Sequence, residues 1–403
     1  MRVLRFRSSM SHKFVNGGLA MPIYAVPEWY IVRPDALTVW RRYPQVEEKL
    51  GWYSRVMRGE EPPKYRIVRT FEVGFDSEDD IRRALTEELW REHERVAGEF
   101  RRLFRSLREG GSYEGDIKDA RPSLMDVKVE LVRRLASPCE LCERRCRVER
   151  AKSRRGACRL AWEVYVHSAF LHLGEEAPLV PSGTIFYGGC NFTCVFCQNW
   201  DVSQWKARDA HIVTPRRLGE IQDRLAEAGA RNINHVGGDP VPSLHVIVES
   251  MKYASHLKPQ LWNSNMYMTL EALDILVDLI DIWLPDLKFG NDRCAMRLSA
   301  VPRYWEVTTR NILLAAEHGD MIIRHLVMPG HVECCTKPVL RWIAENLGDR
   351  VLVNIMDQYH PDNLVLRMPH KWPEIARRPS RREIEEAWRY AEQLGLDWEP
   401  VTK

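Results

Sequence analysis

Three cysteines lie within eight residues of the sequence, in the stretch YGGCNFTCVFCQNWDVSQ. Cys190, Cys194 and Cys197 have the spacing C-x3-C-x2-C and follow two glycines. Three thiols leave one over in any disulfide framework, and a structural zinc site normally has four ligands. Thiolates are also the usual ligands of iron–sulfur clusters. The stretch therefore predicts a metal centre that is open on one side.

A second group of cysteines precedes this loop in CELCERRCRVERAKSRRGAC, with the spacing C-x2-C-x3-C-x11-C. Four thiols spaced in this way can form a tetrahedral zinc site or hold a cubane cluster. We therefore expect zinc or a second iron–sulfur cluster at Cys139, Cys142, Cys146 and Cys158. The other three cysteines, Cys294, Cys334 and Cys335, lie apart from these two groups in the sequence. Because adjacent cysteines rarely bind one metal, we interpret Cys334 and Cys335 as structural thiols.

The composition of the 403-residue chain is that of an ordinary globular protein, with 45% apolar and 29% charged residues and a formal charge of +3. A nearly neutral chain has no global attraction to nucleic acid. No apolar run approaches the roughly 18 residues of a membrane span. The stretch MRVLRFRSSMSHKF lacks the apolar core and cleavage site of a signal peptide. We therefore expect a cytoplasmic protein without membrane association, in which reduced cysteines are metal ligands before they are disulfides.

Hydrophobic patterning predicts the elements that position these residues. From Gly183 onward, six β-type runs alternate with helical segments, which predicts parallel βα units that curl into a partial barrel. The predicted strands are GTIFYGG, NINHVGG, QLWNSN, DIWLPDLKF, MIIRHLVMPG and VLVNIMDQY. Each is followed by a polar cluster: CNFTCVFC, GGDP, NSNMY, DLK, MPGH and DQYHP. Because barrel active sites lie where the strands end, these clusters are expected to converge.

We predict an α/β fold in four parts. Residues 1–125 form a partly helical N-terminal extension, with one long helix from about Ser77 to Arg108. Residues 126–180 form a Cys-rich metal-binding segment. Residues 181–375 form the partial (β/α)6 barrel, and residues 376–403 form a C-terminal helix.

The three-cysteine loop, with an aromatic residue before its last cysteine and a Gly-Gly-acid sequence at the end of the next strand, resembles the signature of the radical S-adenosylmethionine (SAM) superfamily. The stretches CNFTCVFCQNWDVSQ and IRHLVMPG are more narrowly similar to the subgroup related to pyruvate formate-lyase activating enzymes. This resemblance covers roughly Cys139 to Tyr359. It implies a TIM-type partial barrel and a [4Fe–4S] cluster whose open iron binds SAM, with the ligands Cys190, Cys194 and Cys197.

The same resemblance implies SAM contacts at the strand ends. Phe196 would pack near the adenine. Gly237, Gly238 and Asp239 match the family's Gly-Gly-Glu motif, which receives the SAM amino group, with an acid that is one methylene shorter here. Contacts to the ribose, methionine part or carboxylate of SAM are implied for Asn263, Ser264, Asp286, Lys288 and His360.

The function implied by the resemblance is that of an oxidoreductase that cleaves SAM reductively. The cleavage would give methionine and a 5′-deoxyadenosyl radical, which abstracts hydrogen from a substrate. A ferredoxin- or flavodoxin-type protein would supply the electron. A glycyl-radical-type partner protein is a candidate substrate, although no residue of this chain identifies it.

A second hypothesis comes from a different class of protein. Between Cys139 and Leu160 there are eight Arg or Lys residues against three Glu. This basic Cys-rich segment could be the working surface of a metal-stapled RNA-binding module. Nucleic acid is the less favoured partner, because solvated arginines around a metal-binding knuckle are the commoner arrangement.

Overall fold

The computed structural model describes residue 23 and residues 25–402 of the chain. The start of the predicted N-terminal extension, including MRVLRFRSSMSHKF, lies outside the described residues. Within the described part, no helix combines the length and the apolar character needed to cross a membrane.

One sheet of eight strands organises the molecule, in the order β3-β1-β2-β4-β5-β6-β7-β8. Six strands run parallel: β2, β4, β5, β6, β7 and β8. Strand β1 pairs antiparallel with both β2 and β3. This confirms the predicted partial (β/α)6 barrel and adds β1 and β3, which were not predicted. The strands are β1 (Val164–His172), β2 (Ser182–Tyr187), β3 (His211–Val213), β4 (Asn232–Gly237), β5 (Gln260–Ser264), β6 (Ile282–Pro285), β7 (Asp320–Leu326) and β8 (Leu352–Met356).

The region before the barrel is helical, as predicted, but the predicted helix from Ser77 to Arg108 is two helices. The chain is extended at Ala84 and Leu85, and the Leu85 amide donates to Glu88 Oε2 at 3.0 Å, which begins a new helix. The Ser77 hydroxyl caps the first of the two by accepting a hydrogen bond from the Asp80 amide. The helices are α1 (Trp29–Val32), α2 (Asp35–Arg42), α3 (Pro44–Lys49), α4 (Gly51–Arg58), α5 (Lys64–Val68), α6 (Glu78–Arg83), α7 (Thr86–Arg108) and α8 (Leu124–Ala136).

The barrel helices follow their strands. The first of them begins with the Thr214 side chain as its cap and with Pro215 in its first turn. The remaining helices are α9 (Pro215–Glu227), α10 (Leu244–Ser250), α11 (Leu270–Leu276), α12 (Asp292–Ser299), α13 (Tyr304–Glu317), α14 (Lys337–Asn346), α15 (Asn363–Arg367) and α16 (Arg381–Gln393).

The N-terminal helices close the end of the barrel at which the strands begin. The Trp52 indole donates to Asp281 Oδ1 at 2.8 Å, and the Tyr53 amide donates to Asp320 Oδ2 at 2.8 Å. The two aspartates stand at the amino-terminal ends of β6 and β7. Buried Leu50 belongs to one apolar cluster with the inner residues of β5 to β8. The carboxyl ends of the strands are thus the end left for a functional site.

A fully buried ion pair joins α8 to the barrel. Lys128 Nζ donates to Asp278 Oδ2 at 2.6 Å, and Arg101 Nε of α7 donates to Asp278 Oδ1 at 2.7 Å. Burial alone would raise the pKa of Asp278, but Lys128 and Arg101 hold it below its usual range. Removing the carboxylate leaves Lys128 buried without its counter-charge, which is a costly state.

We therefore expect Asp278→Asn to lower the free energy of unfolding by about 3–5 kcal/mol. Urea denaturation followed by far-ultraviolet circular dichroism measures this change. Glu306→Gln is the matched control, because it breaks an exposed ion pair with Arg303 and should leave the midpoint unchanged. Equal midpoints for the two variants would show that the buried pair does not hold α8 in place.

Candidate functional site

A cavity opens where the six parallel strands end, and it brings together the three cysteines of the loop and nearly all the residues expected to contact SAM. The predicted residues on its walls are Cys190, Cys194, Cys197, Phe196, Gly237, Gly238, Asp239, Asn263, Ser264, Asp286 and Lys288. Their convergence follows from the parallel order of the strands, which sets every β-to-α loop at the same edge.

The three-cysteine loop is held mainly by α12 and by the turn that follows β5 (residues 265–267), here called the β5 turn. The backbone amides of Thr193 and Val195 donate to the carbonyls of Ser299 and Leu298, at 3.1 and 2.9 Å. The Ser299 hydroxyl donates to Cys194 Sγ at 3.0 Å. On the other side of the loop, the Asn191 and Asn265 amides form a chain of hydrogen bonds to the β5 turn. The loop is therefore fixed before any ligand binds.

The thiols of Cys190 and Cys194 are buried, that of Cys197 is half-buried, and the three are close enough to influence one another. Burial and the neighbouring Cys197 thiol raise the pKa of Cys194 to about 12. Burial also raises the pKa of Cys190 and of Cys197. Protonated thiols are poor ligands, so a bound cation must displace these protons, and binding is expected to release them.

The two glycines after β4 are required by close packing of the backbone. A Cβ on Gly238 would lie 2.0 Å from the carbonyl oxygen of Gly189, directly before Cys190. Gly237 has a φ of +126°, and its Cβ would lie 2.2 Å from the amide nitrogen of Tyr187. These positions therefore fix the turn after β4 against the start of the cysteine loop.

Asp239 uses its carboxylate to join two strand ends. It accepts hydrogen bonds from the Val241 and Asn265 amides at 3.0 and 2.9 Å, and from the Ser264 hydroxyl at 3.1 Å. Burial raises the pKa of Asp239 to about 6, although these amides favour the charged form. Because its acceptor sites are largely occupied, this shorter acid holds the β5 turn in position.

Gly238→Ala should lower both the iron content and the affinity for SAM that the resemblance implies for this chain. The methyl group cannot fit against the Gly189 carbonyl, so the cysteine loop must move. Iron analysis and equilibrium dialysis with SAM measure the two effects. Gly51→Ala is the control, because nothing lies within 4 Å of a Cβ there. Full iron content in Gly238→Ala would contradict a backbone role for this glycine.

Lys288 places a half-buried positive charge on the cavity wall. Its Nζ lies 2.7 Å from Asp286 Oδ2. Burial alone would lower the pKa of Lys288, but the Asp286 carboxylate raises it, so the ammonium form persists. Asn263 supplies a second polar group, because its buried Nδ2 has no hydrogen-bond partner among the described residues. The wall thus offers a cation and a free amide donor.

The apolar part of the wall is aromatic. The Phe196 side chain is only 4% exposed and packs against Phe289 and Tyr359, with ring centroids 6.2 and 6.0 Å away. A side chain held in this way presents a fixed apolar surface to the cavity and excludes water from it.

His360 lies just outside the cavity. Its Nδ1 is 3.0 Å from Gln198 Nε2, and Gln198 itself is on the cavity wall. Gln198, Asn199 and Gln358 also face the cavity and were not predicted, because lone polar residues in loops carry no spacing signal. Arg324 reaches the same wall from β7.

A second cavity adjoins the first and shares Asn263 and Arg324 with it. Arg324 Nε donates to Glu176 Oε1 at 2.7 Å, and the guanidinium also pairs with Glu175. Burial alone would lower the pKa of Arg324, but the two carboxylates raise it. The second cavity is therefore lined by charged side chains whose opposite charges largely neutralise one another.

The four-cysteine segment lies directly behind the three-cysteine loop. A Cβ on Gly189 would lie 2.9 Å from the Cys158 carbonyl oxygen, and Arg144 Nε donates to the Asn191 carbonyl at 2.5 Å. Burial raises the pKa of Cys142, and the three other thiols of the segment add to the rise. The segment thus packs against the start of the three-cysteine loop.

Several basic residues of this segment are engaged within the molecule. Arg145 forms ion pairs with Glu140, Glu143 and Glu271. Buried Arg150 donates to the Ala161 carbonyl at 2.6 Å. The local positive charge is therefore partly compensated, which weakens its attraction for nucleic acid.

The remaining cysteines, which lie apart in the sequence, come together in the fold. The thiols of Cys294, Cys334 and Cys335 and the imidazole of His331 have ligand atoms within 4.8 Å of one another. The spacing of these residues in the sequence did not reveal the group. Cys294 lies in α12, and α13 and β7 come between it and the other three residues, so only the fold brings them together.

Comparison with known proteins identifies the family. The sequence pattern of the radical SAM superfamily matches residues 184–343. The uncharacterized protein MJ0674 of Methanocaldococcus jannaschii is 39% identical over 354 residues, which cover 87% of this chain and 98% of that protein. The chain belongs to the radical SAM superfamily, whose members are enzymes that use SAM and an iron–sulfur cluster.

Solved structures of superfamily members give weaker matches. Streptococcus suis SuiB bound to precursor peptide SuiA is 14% identical, with a TM-score of 0.38, and the match covers 53% of this chain and 46% of that chain. A domain of pyruvate-formate lyase-activating enzyme from Bacteroides vulgatus is 15% identical, with a TM-score of 0.30, covering 47% of this chain and 91% of that chain.

Proposed function

We propose that Cys190, Cys194 and Cys197 hold a [4Fe–4S] cluster and that the facing wall of the cavity binds SAM. In such enzymes the reduced cluster supplies the electron for SAM cleavage, and the adenosyl product abstracts a hydrogen atom from the substrate. The observation that carries the proposal is the position of three thiols, two of them buried, in one cavity with Lys288 and with the Asn263 amide, which has no partner among the described residues. Thiolates suit iron, and the remaining groups suit a zwitterionic ligand.

Each wall of the cavity has a separate task in this proposal. Lys288 binds the SAM carboxylate, and the free Asn263 amide donates to the methionine part or the ribose. Asp239 acts as a positioning residue, since its carboxylate already fixes the β5 turn. Phe196 covers the adenine side and excludes water, and His360 approaches the ribose through Gln198.

We propose that the second cavity receives the substrate group that loses hydrogen. It adjoins the SAM wall through Asn263 and Arg324, so a group bound there lies next to the adenosyl site. The resemblance to activating enzymes favours a glycyl-type residue of a partner protein. A ferredoxin- or flavodoxin-type donor is proposed to reduce the cluster.

We further propose that Cys139, Cys142, Cys146 and Cys158 bind zinc or a second iron–sulfur cluster. Their position behind the three-cysteine loop suits a metal that supports this loop. The compensated arginines of the segment and the membership in an enzyme superfamily weigh against the RNA-binding module.

Electron paramagnetic resonance tests the proposed site directly. We expect anaerobically reconstituted, dithionite-reduced protein to give the signal of a reduced [4Fe–4S] cluster, and SAM to shift its g-values by binding at the open iron. A signal that SAM leaves unchanged, in protein with full iron content, would contradict a SAM site at this cluster.

A further inference from the structure

The group formed by Cys294, His331, Cys334 and Cys335, here called the Cys3His cluster, lies outside the cavity described above. His331 Nδ1 is 3.7 Å from Cys294 Sγ, 3.3 Å from Cys334 Sγ and 3.7 Å from Cys335 Sγ. Cys334 Sγ is 3.9 Å from each of the other two sulfurs. Four potential ligand atoms therefore lie at the corners of a small tetrahedron.

We propose that the Cys3His cluster is a structural zinc site. A tetrahedral zinc ion with bonds of about 2.3 Å to sulfur and about 2.0 Å to nitrogen sets its ligand atoms about 3.5–3.8 Å apart. The five distances of the cluster lie close to these values. A cubane cluster holds its thiolates on separate iron atoms, so its ligand atoms must lie farther apart than these. Three thiolates and one imidazole complete the coordination, so the site is closed to substrate.

The local chain brings adjacent cysteines to one point. Residues Val332–Thr336 form a π-helical turn, which carries Cys334 and Cys335. Gly290 allows the chain before α12 to pass this turn, because an added Cβ would lie 2.8 Å from the Cys334 carbonyl oxygen. The Asn291 side chain caps α12 and also donates to that carbonyl at 2.7 Å. Cys294 is thereby fixed in the first turn of α12.

The surroundings of the imidazole suit a metal ligand. His331 is 5% exposed, and its Nε2 has no hydrogen-bond partner among the described residues. The nearest carboxylate oxygen, Glu374 Oε1, is 3.9 Å away, and Glu374 also pairs with Arg297 of α12. A carboxylate behind the second nitrogen of a ligating histidine orients the ring and strengthens the ligand. Arg297 offsets part of the negative charge of three thiolates.

The proposed zinc site would also position the three-cysteine loop. Helix α12 begins at the Cys3His cluster and ends at Leu298 and Ser299, which bind the backbone of that loop. Anchoring the start of this short helix limits the movement of its end. This consequence rests on the proposed function of the loop, whereas the zinc site itself does not.

The zinc X-ray absorption spectrum of the purified full-length chain tests the proposal without any variant. We expect scattering from an imidazole ligand together with sulfur. The two other cysteine groups contain no histidine in their proposed ligand sets, so only the Cys3His cluster can supply this feature. Zinc bound by sulfur alone, or a chain without zinc, would overturn the proposal.

Variants then assign the site by element analysis. Cys334→Ser and His331→Ala should each lose one zinc per chain, whereas His331→Cys should retain zinc and show sulfur ligands only. Glu333→Gln is the matched control, since this exposed residue lies between the ligands and should keep its zinc. Unchanged zinc in Cys334→Ser and His331→Ala would contradict the assignment. So would a zinc-free parent chain in which thiol titration finds two of these cysteines oxidised to a disulfide.

Discussion

Replacing Cys194 by alanine should lower SAM cleavage at least about 100-fold, since even loss of an outer partner of a metal ligand costs about 10- to 100-fold in affinity or activity. Cys194 is fully buried and lies beside Cys197 and Ser299. Its removal takes away one of three proposed iron ligands and leaves no thiol at the centre of the loop. The measurement is 5′-deoxyadenosine formed by anaerobic, reduced protein, together with its iron content.

The matched control for this variant is Thr193→Val in the same loop. The Thr193 hydroxyl donates to the Ser299 carbonyl at 3.2 Å, so the change removes one hydrogen bond and no thiol. We expect near-parental iron content and cleavage in this control. A Cys194→Ala chain that forms 5′-deoxyadenosine at the parental rate would remove the basis for a cluster at the loop.

Lys288→Met should raise the Kd for SAM at least about 10-fold, because it removes the proposed partner of the SAM carboxylate and a hydrogen bond to a charged group contributes about 1.5–3 kcal/mol. The variant should keep its iron, since Lys288 contacts no loop backbone in the hydrogen bonds of the described residues. Equilibrium dialysis and iron analysis separate the two effects.

The double variant Asp286→Asn with Lys288→Met controls for the unpaired carboxylate that the single change leaves behind. We expect it to regain thermal stability without regaining SAM affinity. Recovery of SAM binding in the double variant would mean that the ammonium group serves only to neutralise Asp286.

Local patterns in the sequence were sufficient to predict the barrel. The six parallel strands were recognisable because buried strands alternate with helices, as from NINHVGG to QLWNSN. Strands β1 and β3 were missed because β1 lies among loop residues beside the Cys-rich segment, and β3 has only three residues. The long N-terminal helix was predicted in one piece because its apolar period continues across the break at Ala84.

Spacing identified the three cysteines of the loop, and the resemblance to a known superfamily identified most of the other cavity residues, but neither showed how they work together. Asp239 could be recognised after two glycines, whereas its bonds to Ser264 and Asn265 depend on the neighbouring strand. The Cys3His cluster shows more clearly what the sequence alone could not predict. Cys334 and Cys335 look unsuitable for one metal when considered as neighbours in sequence, and only the π-helical turn and α12 bring them together with His331 and Cys294.

Anaerobic incubation of the reduced, iron-loaded chain with SAM alone is the most direct test of radical SAM chemistry here, because the measurement does not require the substrate to be known. Liquid chromatography of the products should reveal 5′-deoxyadenosine and methionine in equal amounts, formed only with the reductant and absent in Cys194→Ala. Intact SAM after prolonged incubation of protein that contains a full, reduced cluster would contradict the proposed function.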